Sequence, residues 1–340
     1  MKEISTIGVD IAKKVFQVHC VDRAGAVVLR RAVRRSQMLA FFGKLPPCLI
    51  GMEACGTAHY WARELRKLGH DVRLIPPAYA KAYVRRNKND PADAEAICEA
   101  VSRPSMRFVT VKSEAEQAAV GVHRVREILI KQHTMLTNHI RGLMAEFGVV
   151  AARGLLGLKD LTAILEDPDD GRVPNLLRDA LAQVVETLRE IDGKLAAIER
   201  QLVRAGRENA TYRHLITARG YGPILSSAMT AMVVDPHAFR SGSDFAASLG
   251  IVPRQEGTGG KTWLGPISKR GNGYLRRLLV NGAMAVLKSK QAQKDPWLVK
   301  LLATKPRKVV AVALANKMAR VGWALMTRQE DYREPTAAAA

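Results

Sequence analysis

Cysteine is scarce and scattered in this chain of 340 residues. The four cysteines, Cys20, Cys48, Cys55 and Cys98, form no close pair, a pattern that fits neither a disulfide framework nor a zinc site. No run of about 18 apolar residues occurs, and the opening residues lack the apolar core of a signal peptide. These absences predict a cytoplasmic protein that does not span a membrane.

Acidic residues are also few. Lys and Arg total 53 against 32 Asp and Glu, which gives a formal net charge of +21. This excess predicts a polyanionic partner, nucleic acid first, although ribosomal and membrane-surface proteins share the bias. With 47% hydrophobic and 25% charged residues, the composition is that of a globular protein. The length predicts two or three domains.

One acidic segment stands out against this basic background. The sequence Asp90-Pro91 predicts a helix start, because Asp suits the N-cap and Pro suits the first helical position. Asp93 then shares a helix face with Asp90, and two such carboxylates can help to hold a divalent cation. The same spacing also describes a reciprocal helix cap, so this segment alone leaves both interpretations open.

The first 112 residues predict a ribonuclease-H-like α/β domain, with a three-stranded meander followed by alternating helices and strands. Asp10 ends the first predicted strand and Glu53 ends the fourth. If those strands are neighbours, both carboxylates emerge at one sheet edge, where the Asp90 helix can cover them. Four converging acids would repel one another unless Mg²⁺ or Mn²⁺ neutralised them. Taken singly, Asp10 also fits a turn residue and Glu53 a solvated loop acid. The predicted strands span residues 4–10, 16–21, 27–33, 49–53 and 72–75, and the predicted helices span 36–45 and 60–68.

The rest of the chain predicts mainly helix. Between residues 113 and 208, apolar residues recur at helical spacing in two long helices separated by an irregular segment, 151–174. This pattern predicts a coiled-coil arm or dimerisation element, with a plain helical hairpin as the alternative. Residues 209–330 predict a mainly α domain, and residues 331–340 a disordered tail.

Two segments of the C-terminal domain predict contact with nucleic acid. Gly220-Tyr221-Gly222 between two helices is typical of a helix-hairpin-helix that binds phosphate through backbone N–H groups, and also of an ordinary tight turn. Residues 253–277 predict a glycine-rich basic loop, whose cations could clamp a phosphate beside a nucleophilic hydroxyl. A non-catalytic nucleic-acid loop has the same composition. The residues predicted to bind nucleic acid are Gly220, Gly222, Arg254, Lys261, Lys269, Arg270, Arg276 and Arg277.

Three segments resemble the RuvC-like domain of the DEDD-motif insertion-sequence transposases, a family of bridge-RNA-guided recombinases. They are Ile7-Gly8-Val9-Asp10, Gly51-Met52-Glu53-Ala54 and Asn89-Asp90-Pro91-Ala92-Asp93. The resemblance covers about residues 3–330 and implies that Asp10, Glu53, Asp90 and Asp93 are catalytic ligands of Mg²⁺ or Mn²⁺. It implies an enzyme that cuts and rejoins donor and target DNA, guided by a noncoding RNA. It also implies a homo-oligomer, a dimer or tetramer, in which the acidic domain of one subunit meets the hydroxyl loop of another.

The resemblance extends to the C-terminal transposase domain of the same family. There a serine followed by glycine, five residues after a proline, forms the covalent bond to DNA. Counting from Pro253 gives Thr258, followed by Gly259, so threonine stands where the family has serine, and its methyl group restricts rotation. Ser268 is the second candidate nucleophile. Two other functions fit the sequence: a RuvC-like, metal-dependent, structure-specific endonuclease without a covalent intermediate, and a non-enzymatic nucleic-acid-binding protein.

Overall fold

The computed structural model describes residues 3–80, 83 and 90–334, the side chains of Asp90 and Gln291 excepted. Contacts divide the chain into two compact units, Met1–Ala115 and Glu116–Ala340.

The first unit is a mixed α/β structure built on a five-stranded sheet, with strand order β3-β2-β1-β4-β5. Strands β1, β2 and β3 form the predicted antiparallel meander, and β4 lies parallel to both β1 and β5. The predicted strands agree with the observed ones to within two residues at each end. The elements are β1 (Thr6–Asp10), β2 (Val15–Val21), β3 (Val27–Arg34), α1 (Met38–Phe42), β4 (Leu49–Glu53), α2 (Ala58–Lys67), β5 (Asp71–Ile75), α3 (Pro77–Ala80) and α4 (Asp90–Val101).

The two faces of this sheet carry different cores. Ile7 and Val9 of β1 and Ile50 and Met52 of β4 are fully buried in a cluster that includes the helix α2 residue Leu65. Because side chains alternate along a strand, the residues between them face the opposite side, where α4 packs. Each strand therefore presents an apolar side to α2 and a glycine-containing side to α4.

The second unit begins with three helices, α5 (Glu114–Ala145), α6 (Leu155–Glu166) and α7 (Asn175–Arg207). Arg126 forms an ion pair with Glu199 at 2.6 Å, and His133 Nε2 lies 3.3 Å from a carboxylate oxygen of Asp192, so α5 and α7 run antiparallel. The prediction of an irregular segment over 151–174 is wrong in its central part, because α6 forms there and buries Leu161 against α7. A coiled-coil or dimerisation role for α5 and α7 stays a prediction.

The remainder of the second unit packs around one apolar cluster, to which α11 and α13 contribute many residues. Helix α13 is long and apolar enough to cross a membrane by length and composition alone, yet half of its apolar window is buried inside the protein. Its hydropathy is therefore that of a core helix. The elements are α8 (Ala210–Ile216), α9 (Pro223–Met232), α10 (Gly242–Ser248), β6 (Pro253–Thr258), β7 (Lys261–Ile267), α11 (Gly273–Lys288), α12 (Pro296–Thr304) and α13 (Arg307–Arg328).

The predicted disordered tail, 331–340, starts too early. Asp331 pairs with His214 at 2.8 Å, and Glu334 pairs with Arg219. The Tyr332 amide donates a hydrogen bond to the Thr217 hydroxyl at 2.8 Å. These polar contacts attach residues 331–334 to α8 and the turn after it, while residues 335–340 lie outside the described part of the chain.

A buried polar network ties three helices of the second unit together. His123 of α5 is completely buried, with Nδ1 3.1 Å from the Tyr274 hydroxyl and Nε2 3.1 Å from the Ser227 hydroxyl. Arg126 donates a further hydrogen bond to the Tyr274 hydroxyl at 3.4 Å. Burial, together with the positive charge of Arg126, lowers the pKa of His123 to about 4, so the imidazole is neutral at neutral pH.

Substituting Gly8 by Ala should destabilise the protein, by about 1–3 kcal/mol or more, because the new Cβ would overlap α4 backbone atoms of Ala94 and Cys98. Gly193→Ala is the control, since nothing lies within 4 Å of a Cβ at that exposed position of α7. There alanine should stabilise the helix by about 1 kcal/mol. Urea unfolding followed by circular dichroism measures both. A Gly8→Ala protein as stable as wild type would contradict the close contact.

Acidification should destabilise the fold through His123. The pKa of His123 is about 4 in the folded protein, against 6.5 for a histidine in water, so below pH 6.5 the unfolded chain binds a proton that the folded chain does not. Stability is therefore lost as the pH falls from 6.5 toward 4, by about 2 kcal/mol from this group. Urea unfolding of His123→Gln, near neutral pH and just above pH 4, should show a smaller acid-induced loss than wild type. The exposed His139→Gln control should lose as much as wild type, and equal losses in all three proteins would contradict the assignment.

Candidate functional site

The sheet brings Asp10 and Glu53 to one edge. Strands β1 and β4 pair in parallel with Val9 opposite Met52, so the next residues, Asp10 and Glu53, end neighbouring strands about 4.8 Å apart. Val9 and Met52 point toward α2 and are buried there. By alternation, Asp10 and Glu53 lie on the other face of the sheet, the face that α4 covers.

Helix α4 packs closely against this face at two glycines. A Cβ on Gly8 would overlap the carbonyl oxygen of Ala94, and a Cβ on Gly51 would lie 2.7 Å from the Cβ of Val101. The glycine motifs that flank the two acids therefore have a packing reason. They allow the backbone of α4 to rest directly on β1 at Gly8, and the Val101 side chain to rest on β4 at Gly51.

The contacts along α4 show its direction. The Cys98 thiol donates to the Thr6 carbonyl oxygen at 3.8 Å, whereas Ala94 lies over Gly8. Four helical residues span about 6 Å and two strand residues about 6.6 Å, so α4 runs antiparallel to β1 in step with it. The residues of α4 before Ala94 therefore extend toward the end of β1 that carries Asp10. The N-terminus of α4 therefore faces the edge that carries Asp10 and Glu53.

Both strand-end carboxylates influence the pKa of Cys55. Burial raises the pKa of the Cys55 thiol, and the negative charge of Glu53 raises it further, with a smaller contribution from Asp10. Cys55 is half-buried, in the turn between β4 and α2. The thiol is therefore held in its protonated form beside two carboxylates.

The complete four-acid set is not visible in the described part of the chain. No group of three or more His, Cys, Asp and Glu side chains that could hold a metal ion occurs among the described residues. The side chain of Asp90 lies outside them, and half-buried Asp93 lies on the first turn of α4. The structure thus brings Asp10 and Glu53 together, and places the backbone that carries Asp90 and Asp93 at the same edge.

The predicted glycine-rich loop over 253–277 is wrong in its first part, which is a β-hairpin. Strands β6 and β7 pair antiparallel around Gly259 and Gly260, whose φ angles are +55° and +78°. Positive φ at both positions is the requirement of a two-residue type I′ turn, which glycine meets without strain. The hairpin is exposed on both faces, so the usual alternation of apolar and polar residues is absent. The Gly-Gly pair between two short runs was the available sequence signal.

The two candidate nucleophiles lie at opposite ends of this hairpin. Thr258 is exposed at the tip, where it pairs with Lys261. Ser268 follows β7 at the base, where its amide donates to the Val252 carbonyl at 2.9 Å. The two positions are about 20 Å apart along the strands, so they cannot serve one site together.

The predicted nucleic-acid-binding cations divide into two groups. Arg254, Lys261, Lys269 and Arg270 are exposed, and none forms an ion pair with another residue that the structure describes. Arg276, in contrast, donates to the carbonyl oxygens of Leu249 at 2.9 Å and Arg270 at 3.1 Å. The last of the set, Arg277, pairs with Glu127 at 2.6 Å. The first four are thus available to bind phosphates, whereas Arg276 and Arg277 also make contacts within the protein that stabilise its fold.

The Gly220-Tyr221-Gly222 turn is anchored in the core of the second unit. Tyr221 is 2% exposed and donates its hydroxyl to the Met318 carbonyl at 3.0 Å. Gly220 has a φ of +81°, and a Cβ there would lie 2.6 Å from the side chain of Met318. Packing therefore accounts for Gly220, whereas Gly222 is exposed before the N-terminus of α9. A phosphate-binding helix-hairpin-helix stays a prediction.

The first unit also contains a basic cleft that was not predicted from the sequence. It has a volume of about 860 Å³ and is lined by Lys13, Lys14, Arg34 and Arg35 together with Tyr60 and Trp61. Two basic pairs in the sequence could have indicated this cleft: Lys13-Lys14, directly before β2, and Arg34-Arg35, at the end of β3. Those strands pair with Val15 opposite Arg34, so the two basic pairs meet.

Comparisons with known proteins agree on one family. A family model of the IS110 DEDD type, described as "Transposase", matches residues 7–148. A second, described as "Transposase IS116/IS110/IS902 family", matches residues 212–297.

Similar proteins span nearly the whole chain. The "Probable family 20 transposase" of Pseudomonas aeruginosa is 49% identical over 97% of this chain and 99% of its own length. The "Transposase for insertion sequence element IS1111A" of Coxiella burnetii is 40% identical over 98% of this chain and 92% of its own. The "Transposase for insertion sequence element IS1328" of Yersinia enterocolitica is 38% identical over 96% and 98%, respectively. The chain therefore belongs to the IS116/IS110/IS902 family of transposases.

Proposed function

We propose that this protein is the transposase of an insertion sequence and cuts and rejoins DNA strands. The observation that carries the proposal is the placement of Asp10 and Glu53 at one sheet edge, on the face over which α4 begins. Carboxylates concentrated at one edge of a protein with a net charge of +21 require a reason. Phosphodiester chemistry supplies one, because its active sites commonly hold divalent cations on carboxylates.

The residues at this edge fit Mg²⁺ or Mn²⁺, since carboxylate oxygens are the ligands these hard cations prefer. Asp10 and Glu53 come from neighbouring strands, and we propose that Asp90 and Asp93 join them from α4. Cations held there would polarise a phosphodiester and stabilise the departing oxygen. The half-buried thiol of Cys55, whose pKa is raised, stays protonated beside the carboxylates and adds no further negative charge to the edge.

We propose Thr258 as the nucleophile and Ser268 as the alternative. The hydroxyl oxygen forms a bond to phosphorus while the bond from phosphorus to one sugar oxygen breaks. The attacking oxygen loses its proton to a base, and the departing sugar oxygen gains one. The reverse step, with the sugar hydroxyl of a second strand, restores the threonine and rejoins the DNA. Two features support Thr258: its exposure at the hairpin tip and the open space around Gly259 and Gly260.

Four exposed cations support a phosphate-binding role for the hairpin and the segment that follows it: Arg254, Lys261, Lys269 and Arg270. We propose donor and target DNA as the substrates and, from the family resemblance, a noncoding RNA as the guide, with the bacterial cytoplasm as the place of action.

We also propose that the protein forms a homo-oligomer. Val125, Ile128 and Met135 are each at least half exposed on α5, three and seven residues apart, and so share one helix face. An exposed apolar stripe of this kind supports contact with a second copy.

A structure-specific endonuclease that forms no covalent intermediate is the second candidate. It is favoured by the threonine at position 258, whose hydroxyl makes no hydrogen bond with any other described residue.

Replacing Asp10 or Asp93 by Asn should abolish DNA strand cleavage. Removing a residue that supports a metal ligand costs about 10- to 100-fold in activity, so loss of a ligand itself should cost at least about 100-fold. Asp71→Asn is the matched control, because Asp71 pairs with Arg73 at the start of β5, at the other edge of the sheet. Cleavage of plasmid substrates with Mg²⁺ measures all three variants. Full activity in both Asp10→Asn and Asp93→Asn would instead favour a non-enzymatic nucleic-acid-binding protein.

Thr258→Val should abolish the covalent protein–DNA adduct, and Thr258→Ser should retain or increase it, because serine keeps the hydroxyl without the crowding methyl group. Thr262→Val, an exposed threonine of β7, is the matched control and should form the adduct as wild type does. Denaturing gels of protein mixed with labelled DNA detect the adduct.

Two results would overturn the assignment to Thr258. An adduct retained in Thr258→Val but lost in Ser268→Ala would move the nucleophile to Ser268. Cleavage to free ends without any adduct in wild type would favour the endonuclease.

A further inference from the structure

The basic cleft of the first unit lies at the same sheet edge as the acids. Lys13 and Lys14 belong to the turn between β1 and β2, which follows Asp10 directly. Arg34 ends β3 opposite Val15, and the Arg35 amide donates to the Lys14 carbonyl at 2.8 Å. Helix α2 begins just after Glu53 and contributes Tyr60 and Trp61. The cleft therefore lies at the same end of the sheet as both strand-end carboxylates, on the face that α2 covers, whereas Asp10 and Glu53 lie on the face that α4 covers.

An aromatic floor fixes one of these cations. The ring of Phe16 meets that of Trp61 edge to face at 5.3 Å, and both are buried. The Arg35 guanidinium lies over both rings, 5.6 Å from Phe16 and 5.3 Å from Trp61. A guanidinium stacked in this way keeps its charge and its N–H donors while losing conformational freedom. It is thus prepared to meet an anion.

The four cations lack acidic partners. None of Lys13, Lys14, Arg34 and Arg35 forms an ion pair with any residue that the structure describes, although many other cations of the chain do. Like charges gathered in one cleft repel one another, and this arrangement is relieved when a polyanion binds. A chain of phosphates is such a polyanion. The four cations would also offset the repulsion between the phosphates of DNA and the carboxylates at the same end of the sheet.

Tyr60 indicates that the polyanion carries unpaired bases. It is 45% exposed at the wall of the cleft, edge to face with Trp61 at 5.2 Å. An exposed ring beside a row of cations is the combination by which proteins bind single strands, with bases stacked on the aromatic and phosphates on the cations. In duplex DNA the bases are stacked on each other and cannot reach such a ring.

We propose that this cleft holds a single-stranded stretch of DNA next to the carboxylate edge, with Lys13, Lys14, Arg34 and Arg35 on its phosphates and Tyr60 against a base. The proposal deepens the proposed function and rests on it for the identity of the strand as DNA. The cleft would hold a locally unpaired strand that passes around the ends of β1 and β4, so the scissile phosphate can reach Asp10 and Glu53 on the other face without the bulk of a duplex.

Binding of a thymidine oligonucleotide to the full-length protein tests the proposal. Fluorescence anisotropy in EDTA, over a range of salt, separates binding from cleavage. The double variant Lys13→Ala/Lys14→Ala should bind more weakly and lower the slope of log affinity against log salt by about 1.4, since each phosphate contact on a single strand contributes about 0.7. The control Lys44→Ala/Lys67→Ala removes two exposed lysines at the opposite edge of the sheet and should leave the slope unchanged.

The stacking contact needs its own variants. Tyr60→Ala should weaken binding of the oligonucleotide by about tenfold or more, whereas Tyr60→Phe, which keeps the ring, should bind as wild type does. Neither variant should change the affinity for a duplex of the same length. An oligonucleotide with a photoreactive thymidine analogue should crosslink to Tyr60 or its neighbours in the cleft.

Three results would overturn the proposal. An unchanged salt slope in Lys13→Ala/Lys14→Ala would show that the cleft binds no strand. Equal losses for duplex and single strand in Tyr60→Ala would show that no base stacks there. A loss confined to a structured RNA would assign the cleft to RNA. Because these measurements need no catalysis, they can support the cleft even if Asp10→Asn leaves cleavage intact, and they can fail while the carboxylates prove essential.

Discussion

The direct contact between α4 and the sheet is the constraint on which the candidate site depends. Gly8 of β1 and Gly51 of β4 stand opposite each other in the ladder, and neither position has room for a Cβ under the helix. The backbone of α4 therefore lies closer to the strands than side-chain packing would allow. Its direction, fixed by contacts from Cys98 back to Ala94, places its first turn at the edge where Asp10 and Glu53 end their strands.

The same geometry explains why so much of the first unit was predictable. Apolar residues alternate in β1 and β4 because one face of the sheet packs against the core. The same two-residue alternation determines the face on which the acid at the end of each strand lies. Parallel pairing of β1 with β4 followed from the order of strands and helices. The approach of α4 to the edge that carries Asp10 and Glu53 was harder to predict, because it depends on how closely a helix can lie to the sheet. Only the glycines at positions 8 and 51 carry that information.

Two features of the second unit were not predicted from the sequence, the β6–β7 hairpin and helix α6. The β6–β7 hairpin is exposed on both faces, so its residues show composition without alternation, and only Gly259-Gly260 marks its turn. Helix α6 was hidden for a different reason, since its buried residue Leu161 lies in a segment ending in the acidic, glycine-containing turn 167–171. Residue composition therefore predicted the polar and charged character of these segments, whereas their secondary structure depends on contacts formed in the folded chain.

Charge of both signs is sorted onto one edge of the first unit. The strand ends carry Asp10 and Glu53, while the adjacent turn and strand end carry Lys13, Lys14 and Arg34. Each set gathers like charges, which repel one another. Among the described residues, these cations and carboxylates form no ion pairs with each other. Such pairs would make both sets unavailable for binding. In the proposed function a phosphodiester strand would contact both sets: its backbone phosphates would bind the basic side chains, and divalent cations held on the carboxylates would bind the phosphate that reacts.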